Sequence, residues 1–361
     1  DPPPRPRMTV PFVPRRRTRL ARLAAALLLP LPALGAQEAP SPARTAPAPV
    51  LALRAAKLVV GDGRTIDAPV VIVTGDRITA VGPAATVRIP AGARTIDLAG
   101  HTLLPGFFDV HTHLASIDSD GGDLAVLRET PAHGAIHATI NARKTLEAGF
   151  TTVREAGSTG YVDVAVRDAI EKGLIPGPRI HASGPALGST GGHADVNGWS
   201  WQLAIPGTGA IVDGVDALRK QVRLNAKYGA DQIKLVATGG ILSVGDAPTA
   251  PQYSDEEMRA VVTEAARLGR KVMAHAHGGA GLLAAVNAGV ASIEHGSLVD
   301  DAGIAAMKAH GTYMVPTLII LEEIVRDGAR KGYPAYAIAK AKAVEGQRRV
   351  RLRKAFQEGV K

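Results

Sequence analysis

The chain has 361 residues, of which 46% are hydrophobic and 21% charged, and it carries a formal net charge of +9 and no cysteine. The missing cysteines exclude disulfides, thiolate metal sites and a cysteine nucleophile. The charge sits at the two ends, with residues 1–36 and 340–361 each at +6 and residues 37–339 at −3, so a basic leader and a basic terminal helix explain it and a nucleic-acid-binding stripe is not expected.

From Met8 the chain runs through Arg15, Arg16, Arg17, Arg19 and Arg22 into the apolar run Leu23–Ala36, with the small residues Ala33, Gly35 and Ala36 at its end. A basic region, an apolar core and small residues near a cut are the layout of a signal peptide, so residues 1–36 are expected to be a leader. The apolar run is 14 residues long and broken by Pro30 and Pro32, too short to span a bilayer. We therefore expect an exported protein, periplasmic or secreted, with no stable membrane insertion once the signal is removed. An Arg-Arg pair before Leu20 leaves both general and twin-arginine export open, and a disordered basic tail is the plainer alternative. Residues 37–49, rich in Pro and Ala, read as a linker.

Short β-like pieces follow: Leu51–Val60, Val70–Thr74, Ile78–Val81 and Thr95–Leu98, separated by Gly-Asp-Gly, Gly75-Asp76 and Gly82-Pro83. They predict a small β-sandwich-like subdomain over residues 50–104. From residue 105 the texture becomes strand, loop and helix. A helical stretch, a glycine and then a β-branched or apolar run recur at Gly149, Gly229, Gly269, Gly289 and Gly311. A glycine suits the residue after a helix because the left-handed backbone there costs it little. Strands are predicted at about 105–112, 151–155, 178–183, 232–237, 271–276, 290–295 and 312–318. Strands alternating with helices imply a parallel sheet. An open doubly wound sheet would carry a Gly-x-Gly-x-x-Gly turn after its first strand, and none is present, so the expected fold is an α/β TIM barrel of the (β/α)8 type over residues 105–361. One long basic helix is predicted at about 320–358, after which Gly359, Val360 and Lys361 repeat the glycine-then-strand pattern.

The chemistry-bearing residues gather at predicted strand ends, where a parallel barrel keeps its site. His111 and His113 close the run Leu-Leu-Pro-Gly-Phe-Phe-Asp-Val-His-Thr-His, and residues two apart on a strand face the same side. Lys234 stands on an apolar strand, where a lone ammonium is costly unless paired or neutralised. His275 and His277 end the fifth strand and His295 the sixth. Singly, each histidine has a plain reading as a hydrogen-bonded core residue, and Lys234 as half of an ion pair. Together, at the ends of three strands, the imidazoles point to bound divalent metal.

Residues 104–113, with Lys234, His275 and His295, resemble the metal-dependent amidohydrolase superfamily. The resemblance spans about 50–361 and is nearest the Xaa-Pro-dipeptidase-like and imidazolonepropionase-like branch, which includes carboxypeptidases and ochratoxin-hydrolysing amidohydrolases. It implies two zinc-type divalent ions, one held by His111 and His113 and the other by His275 and His295. Lys234 would be carboxylated by CO2 to a carbamate bridging both. The implied activity is hydrolysis of a small-molecule or dipeptide-like amide by a metal-bridging hydroxide. His277 would bind or polarise the substrate carbonyl, or stand behind the ligands. His193, in the Gly-rich stretch Ser-Thr-Gly-Gly-His-Ala-Asp, and Ser116 would contact substrate. Asp109 could pair with Lys234, orient a ligand or serve packing alone. His101, His133, His137, His181 and His310 receive structural readings.

The sequence departs from the family pattern in one respect. The family's remaining ligand is an aspartate ending an eighth strand, and the only late aspartate, Asp327, follows the seventh strand in a helical connection. We therefore expect the chain to stop before strand 8, and a non-catalytic fragment stands as the rival from another class. A cyclic-amide hydrolase or deaminase on the same barrel is the second enzyme reading, and a homo-oligomer is left open.

Overall fold

A computed structural model describes residues 48–116 and 128–361. The leader expected over residues 1–36, and the expected linker up to residue 47, lie outside the described residues. No helix among those described is long and apolar enough to cross a membrane.

The chain divides into two compact units. The first is built on strands β1 (Val50–Val59), β2 (Thr65–Asp67), β3 (Pro69–Thr74), β4 (Arg77–Pro83) and β5 (Arg94–Leu103), in the order β2-β1-β3-β4 with β5 on β1. β1 and β3 are antiparallel, and alternate residues Ala52, Val70 and Ile72 form a small buried core. Thr74 faces Arg77 across a two-residue hairpin whose Gly75 has φ +62, the left-handed turn a right-twisted hairpin requires. The sandwich-like unit expected from the sequence is corrected here. The described strands form one sheet, because the ten-residue β1 is long enough to pair with β2, β3 and β5 at once.

The second unit has a TIM-barrel-like α/β organisation. Strands β6 (Phe107–Thr112), β7 (Phe150–Glu155) and β8 (Arg179–His181) pair in parallel. A second parallel sheet orders β9 (Leu187–Gly188), β10 (Ala210–Ile211), β11 (Ile233–Val236), β12 (Val272–Gly278), β13 (Ser292–Leu298) and β14 (Tyr313–Val315) as β10-β9-β11-β12-β13-β14. Helices α1 (Pro131–Glu147) and α2 (Val162–Glu171) connect the first sheet. Helices α3 (Val215–Lys227), α4 (Asp255–Arg267), α5 (Gly279–Ala288) and α6 (Asp301–His310) connect the second. The seven strands expected from residue 105 onward appear as β6, β7, β8, β11, β12, β13 and β14, with β8 and β14 shorter than expected, and the two-residue strands β9 and β10 are additional.

Local chemistry explains the joints. Ser254 and Glu257 form a reciprocal capping box that starts α4, and the Asp300 carboxylate accepts from the Gly303 N–H to start α6. The core packs strand residues Leu187, Ile233, Leu235, Ala274 and Ile293 with helix residues such as Met258, Val261, Leu282 and Met307. Both faces of β11 and β12 are buried, which is why those strands read as continuous rather than alternating apolar runs.

The predicted helix over 320–358 is also corrected. It is two helices, α7 (Leu318–Asp327) and α8 (Ala335–Gln357). Pro334 has no N–H for a helical bond and disfavours helical backbone at the preceding residue, so a new helix starts after it. Beyond α8, Val360 is buried and the Lys361 carbonyl accepts from the β14 residue Met314 at 2.8 Å.

Candidate active site

The polar residues at the C-terminal ends of the barrel strands converge on one place. Ring centroids of His111 and His113 lie 5.3 Å apart, His111 and His295 4.9 Å, and His275 and His295 4.6 Å. His277 is 5.0 Å from His275 and stacks at 5.1 Å on His295, and His193 lies tilted at 4.4 Å from His275. Six imidazoles from β6, the loop after β9, β12 and β13 thus form one chain of contacts. Ser116 is not among them; it lies exposed in the turn after His113, its N–H on the His113 carbonyl and its own carbonyl held by Asn141. The Asp109 carboxylate accepts from the His111 backbone N–H at 3.0 Å.

Each ring has one nitrogen already engaged. His111 Nδ1 is 2.7 Å from Glu294 Oε2, His113 Nδ1 is 3.2 Å from the Gly157 carbonyl, and His275 Nε2 is 3.0 Å from the Gly239 carbonyl. His277 Nδ1 meets Ser297 Oγ at 3.1 Å, and His295 Nδ1 meets Thr317 Oγ1 at 2.7 Å. Carbonyl and carboxylate oxygens only accept, so His111 and His113 donate from Nδ1 and keep Nε2 as a lone pair. His275 is reversed, with Nδ1 as its lone pair. Holding one nitrogen as N–H by a neighbouring acceptor is how metal-binding imidazoles are oriented.

Burial keeps these rings neutral. It lowers His111, His275 and His295 well below the ordinary imidazole range and His277 to about 3. His193 falls to about 4 for the same reason. His113 keeps a solvent-exposed face, yet the surrounding protein and the Lys234 charge lower it too. Neutral imidazole is the form that binds a metal without first losing a proton.

Lys234, on β11, is 3% exposed, and no carboxylate among the described residues lies within 4.0 Å of its ammonium. Its charge helps depress His111, His113, His193, His275 and His295, which places it electrically at the centre of the cluster. Burial in turn lowers Lys234 to about 8, against the opposing pull of Glu294. The ammonium still predominates at neutral pH, with roughly a tenth present as free amine.

Two residues escaped the sequence reading. Glu294 is fully buried on β13, and its Oε1 accepts from Arg154 at 2.7 Å and from Ser292 Oγ at 2.6 Å. Glu155, at the end of β7, accepts from Thr112 Oγ1 and from the Leu114 N–H, both at 2.8 Å, and so pins the segment carrying His111 and His113. The available signal was a carboxylate on a strand with no exposed face, since such a group needs buried donors.

As the side chains stand, no three His, Asp or Glu among the described residues converge on a single point able to hold an ion. What fits a metal is the donor set: neutral imidazoles, each held on one nitrogen, around a buried lysine with no acid beside it. The fold and this site define a TIM-barrel-like α/β protein with a histidine cluster at its strand ends. The chain belongs to the amidohydrolase family, whose model matches residues 102–361. It is similar to ochratoxinase from Aspergillus niger, at 34% identity over 298 residues covering 78% of this chain and 61% of that protein. The chain therefore spans about three fifths of that relative's length. Among solved structures it is similar to a Xaa-Pro dipeptidase, with a TM-score of 0.79, 36% identity and coverage of 86% of this chain and 78% of that one. The A. niger ochratoxinase structure superposes with a TM-score of 0.73 at 30% identity, covering 87% of this chain and 74% of the other.

Proposed function

We propose that this protein hydrolyses amide bonds in small-molecule or dipeptide-like substrates, in the manner of a dipeptidase or carboxypeptidase, with ochratoxin-type amides within its range. The observation that carries the reading is the cluster of neutral imidazoles around Lys234. Similarity to an ochratoxinase and to a Xaa-Pro dipeptidase supports the choice of bond. His111 and His113 would hold one divalent ion through their Nε2 atoms, and His275 and His295 a second, with Lys234 as a carbamate between them. Zinc is the ion this donor set suits best. Ions bound there supply Lewis acidity toward a carbonyl and a water acidic enough to attack it near neutral pH.

The chain's own residues do the positioning. Glu294 holds His111, Gly157 holds His113, Gly239 holds His275 and Thr317 holds His295, so each ring would be already turned toward an ion bound there. Lys234 adds to CO2 as the free amine, losing a proton as the N–C bond forms, and the product carries a negative charge where an unpaired ammonium stood. His277 and His193 lie beside His275 and would face substrate. If residues 1–36 are a leader, as their sequence suggests, this activity would lie outside the cytoplasm, and N-terminal sequencing of exported protein tests that part.

The test combines metal analysis with a substrate panel. Protein purified from zinc-supplemented medium should carry up to two ions per chain, and His111→Ala or His295→Ala should lower that content sharply. Lys234→Ala should lose metal and activity, with a short carboxylic acid restoring part of both. Peptides and arylamides with a free carboxylate beside the scissile bond should turn over. Full metal content in both histidine variants, or turnover confined to cyclic amides or nucleobases, would overturn the proposal.

A further inference from the structure

The loop between β11 and α4 carries a network that the proposed metal ligands do not account for, and Asp246 is its centre. Asp246 Oδ1 accepts from Ser243 Oγ at 2.6 Å and from Lys340 Nζ at 2.9 Å. Its Oδ2 accepts from Gln252 Nε2 at 3.1 Å and from the Gly240 N–H at 3.3 Å. Lys340 belongs to α8, and it also donates to the carbonyls of Gly240 at 3.0 Å and Ser243 at 2.8 Å. Ile241 of the same loop is buried against Ala341 and Val344, so apolar packing reinforces the clamp.

Two partners of Asp246 hold His193. Ser243 Oγ lies 2.9 Å from the ring Nδ1, and Gln252 Oε1 accepts the His193 backbone N–H at 3.1 Å. The Gly240 backbone lies against the ring, where a Cβ would stand 2.1 Å from Cε1 and 2.2 Å from Nδ1. The ring also lies against His275, tilted by 32° at 4.4 Å between centroids. His193 is thus fixed at its backbone and at one nitrogen, with Gly240 and His275 against its ring.

The proton positions follow from the acceptors. A carboxylate donates nothing, so the single Ser243 proton goes to Asp246, the shorter contact. Ser243 then offers only lone pairs to His193, whose Nδ1 must carry the hydrogen. We propose that Asp246, acting through Ser243, is a positioning residue that fixes His193 in the Nδ1–H tautomer, so that its Nε2 is a hydrogen-bond acceptor at the histidine cluster, and that Lys340 locks the loop in that register. The group His193 recognises is then a donor, a substrate N–H or a water, and not a carbonyl or carboxylate oxygen. This consequence for catalysis rests on the hydrolase reading; the tautomer itself does not.

The test is nitrogen NMR of the full chain labelled with 15N-histidine at neutral pH, with His193→Gln identifying the His193 signals. The wild-type ring should show a protonated Nδ1 and a bare Nε2. Ser243→Ala and Asp246→Asn should move His193 toward the other tautomer, while Ser243→Thr, which keeps the hydroxyl, should retain the wild-type pattern. Ser243→Ala removes a single hydroxyl, and thermal melting alongside shows whether it folds; Ser243→Thr keeps the assignment testable if it does not. On an amide substrate, Ser243→Ala should lower kcat/KM by about 10–100-fold, the usual cost of losing an outer-shell partner, with recovery in Ser243→Thr. A bare Nδ1 in the wild type, or a tautomer unmoved by both Ser243→Ala and Asp246→Asn, overturns the proposal. Absence of amide turnover in every form overturns the hydrolase reading and leaves the tautomer to be judged by the spectra.

Discussion

The Nδ1 proton of His111 rests on Glu294 Oε2 at 2.7 Å, so a histidine at the end of β6 is turned by a carboxylate of β13, a residue 183 positions later. Every group around Glu294 is a donor: His111, Arg154 and Ser292. An amide in its place would set an N–H against one of them. Glu294→Gln should therefore weaken zinc binding by about 10–100-fold while leaving the ligand nitrogens in place. Competition against a chromophoric chelator measures this, and unchanged affinity would show that Glu294 serves the fold alone.

Acid should destabilise the protein earlier than carboxylate chemistry would dictate. The six clustered histidines have folded-state pKa values below the unfolded 6.5, chiefly through burial. Between those values the unfolded chain binds more protons than the folded one. Their neutral forms thus contribute stability that is complete above about 6.5 and is lost as pH falls toward 4 and 3, at about 1.4 kcal/mol per pH unit for each proton taken up. The Tm of metal-free protein should fall steadily from pH 7 to pH 5. A flat profile over that interval would contradict the burial of these rings.

His295 stores strain. Its φ is +75, and its partner Thr317 has φ +36, both in the left-handed region that side chains avoid. Such a conformation costs a residue with a Cβ roughly 1–2 kcal/mol. His295→Gly should therefore be more stable than His295→Ala by about 1 kcal/mol, although glycine is ordinarily the worse choice inside a strand. Urea denaturation of the two metal-free variants decides it, and a more stable alanine variant would count against the strain.

Arg348 is fully buried between α7 and α8, where it donates to the Leu318 carbonyl and pairs with Glu345 at 2.8 Å and Glu322 at 3.4 Å. Removing one member of a buried pair typically costs ~3–5 kcal/mol, and the partial exposure of both glutamates puts Arg348→Ala at the lower end. Arg348→Met, which keeps most of the volume, should recover part of that loss. Equal stability of the two variants would show that the pair, and not the packing, sets the cost.

The strands were legible because glycine after each helix marks where the next begins, and the histidines because they stand at those strands' ends. Glu294 was hidden by its neighbour: it adjoins His295, which drew the reading, and its partner Arg154 lies 140 residues away on β7. Asp246 carried no periodic signal at all, being a loop residue whose meaning comes from Lys340 and from Ser243, which touches His193. The break between α7 and α8 was readable at Pro334, since a proline without an N–H argues for a new helix start. The single sheet of the first unit was not, because alternation within strands says which face is buried and not how many sheets share it.

The clamp from Lys340 to Asp246 spans 94 residues of sequence. During synthesis the loop after β11 leaves the ribosome well before α8 exists, and until then Asp246 has only the donors of its own loop while the Gly240 and Ser243 carbonyls lack the Lys340 ammonium. The loop that holds His193 therefore reaches its final order only once α8 has been made. Non-local closure of this kind is slow and leaves apolar surface open meanwhile, so the yield of folded protein depends on how quickly α8 arrives as well as on how stable the folded molecule is.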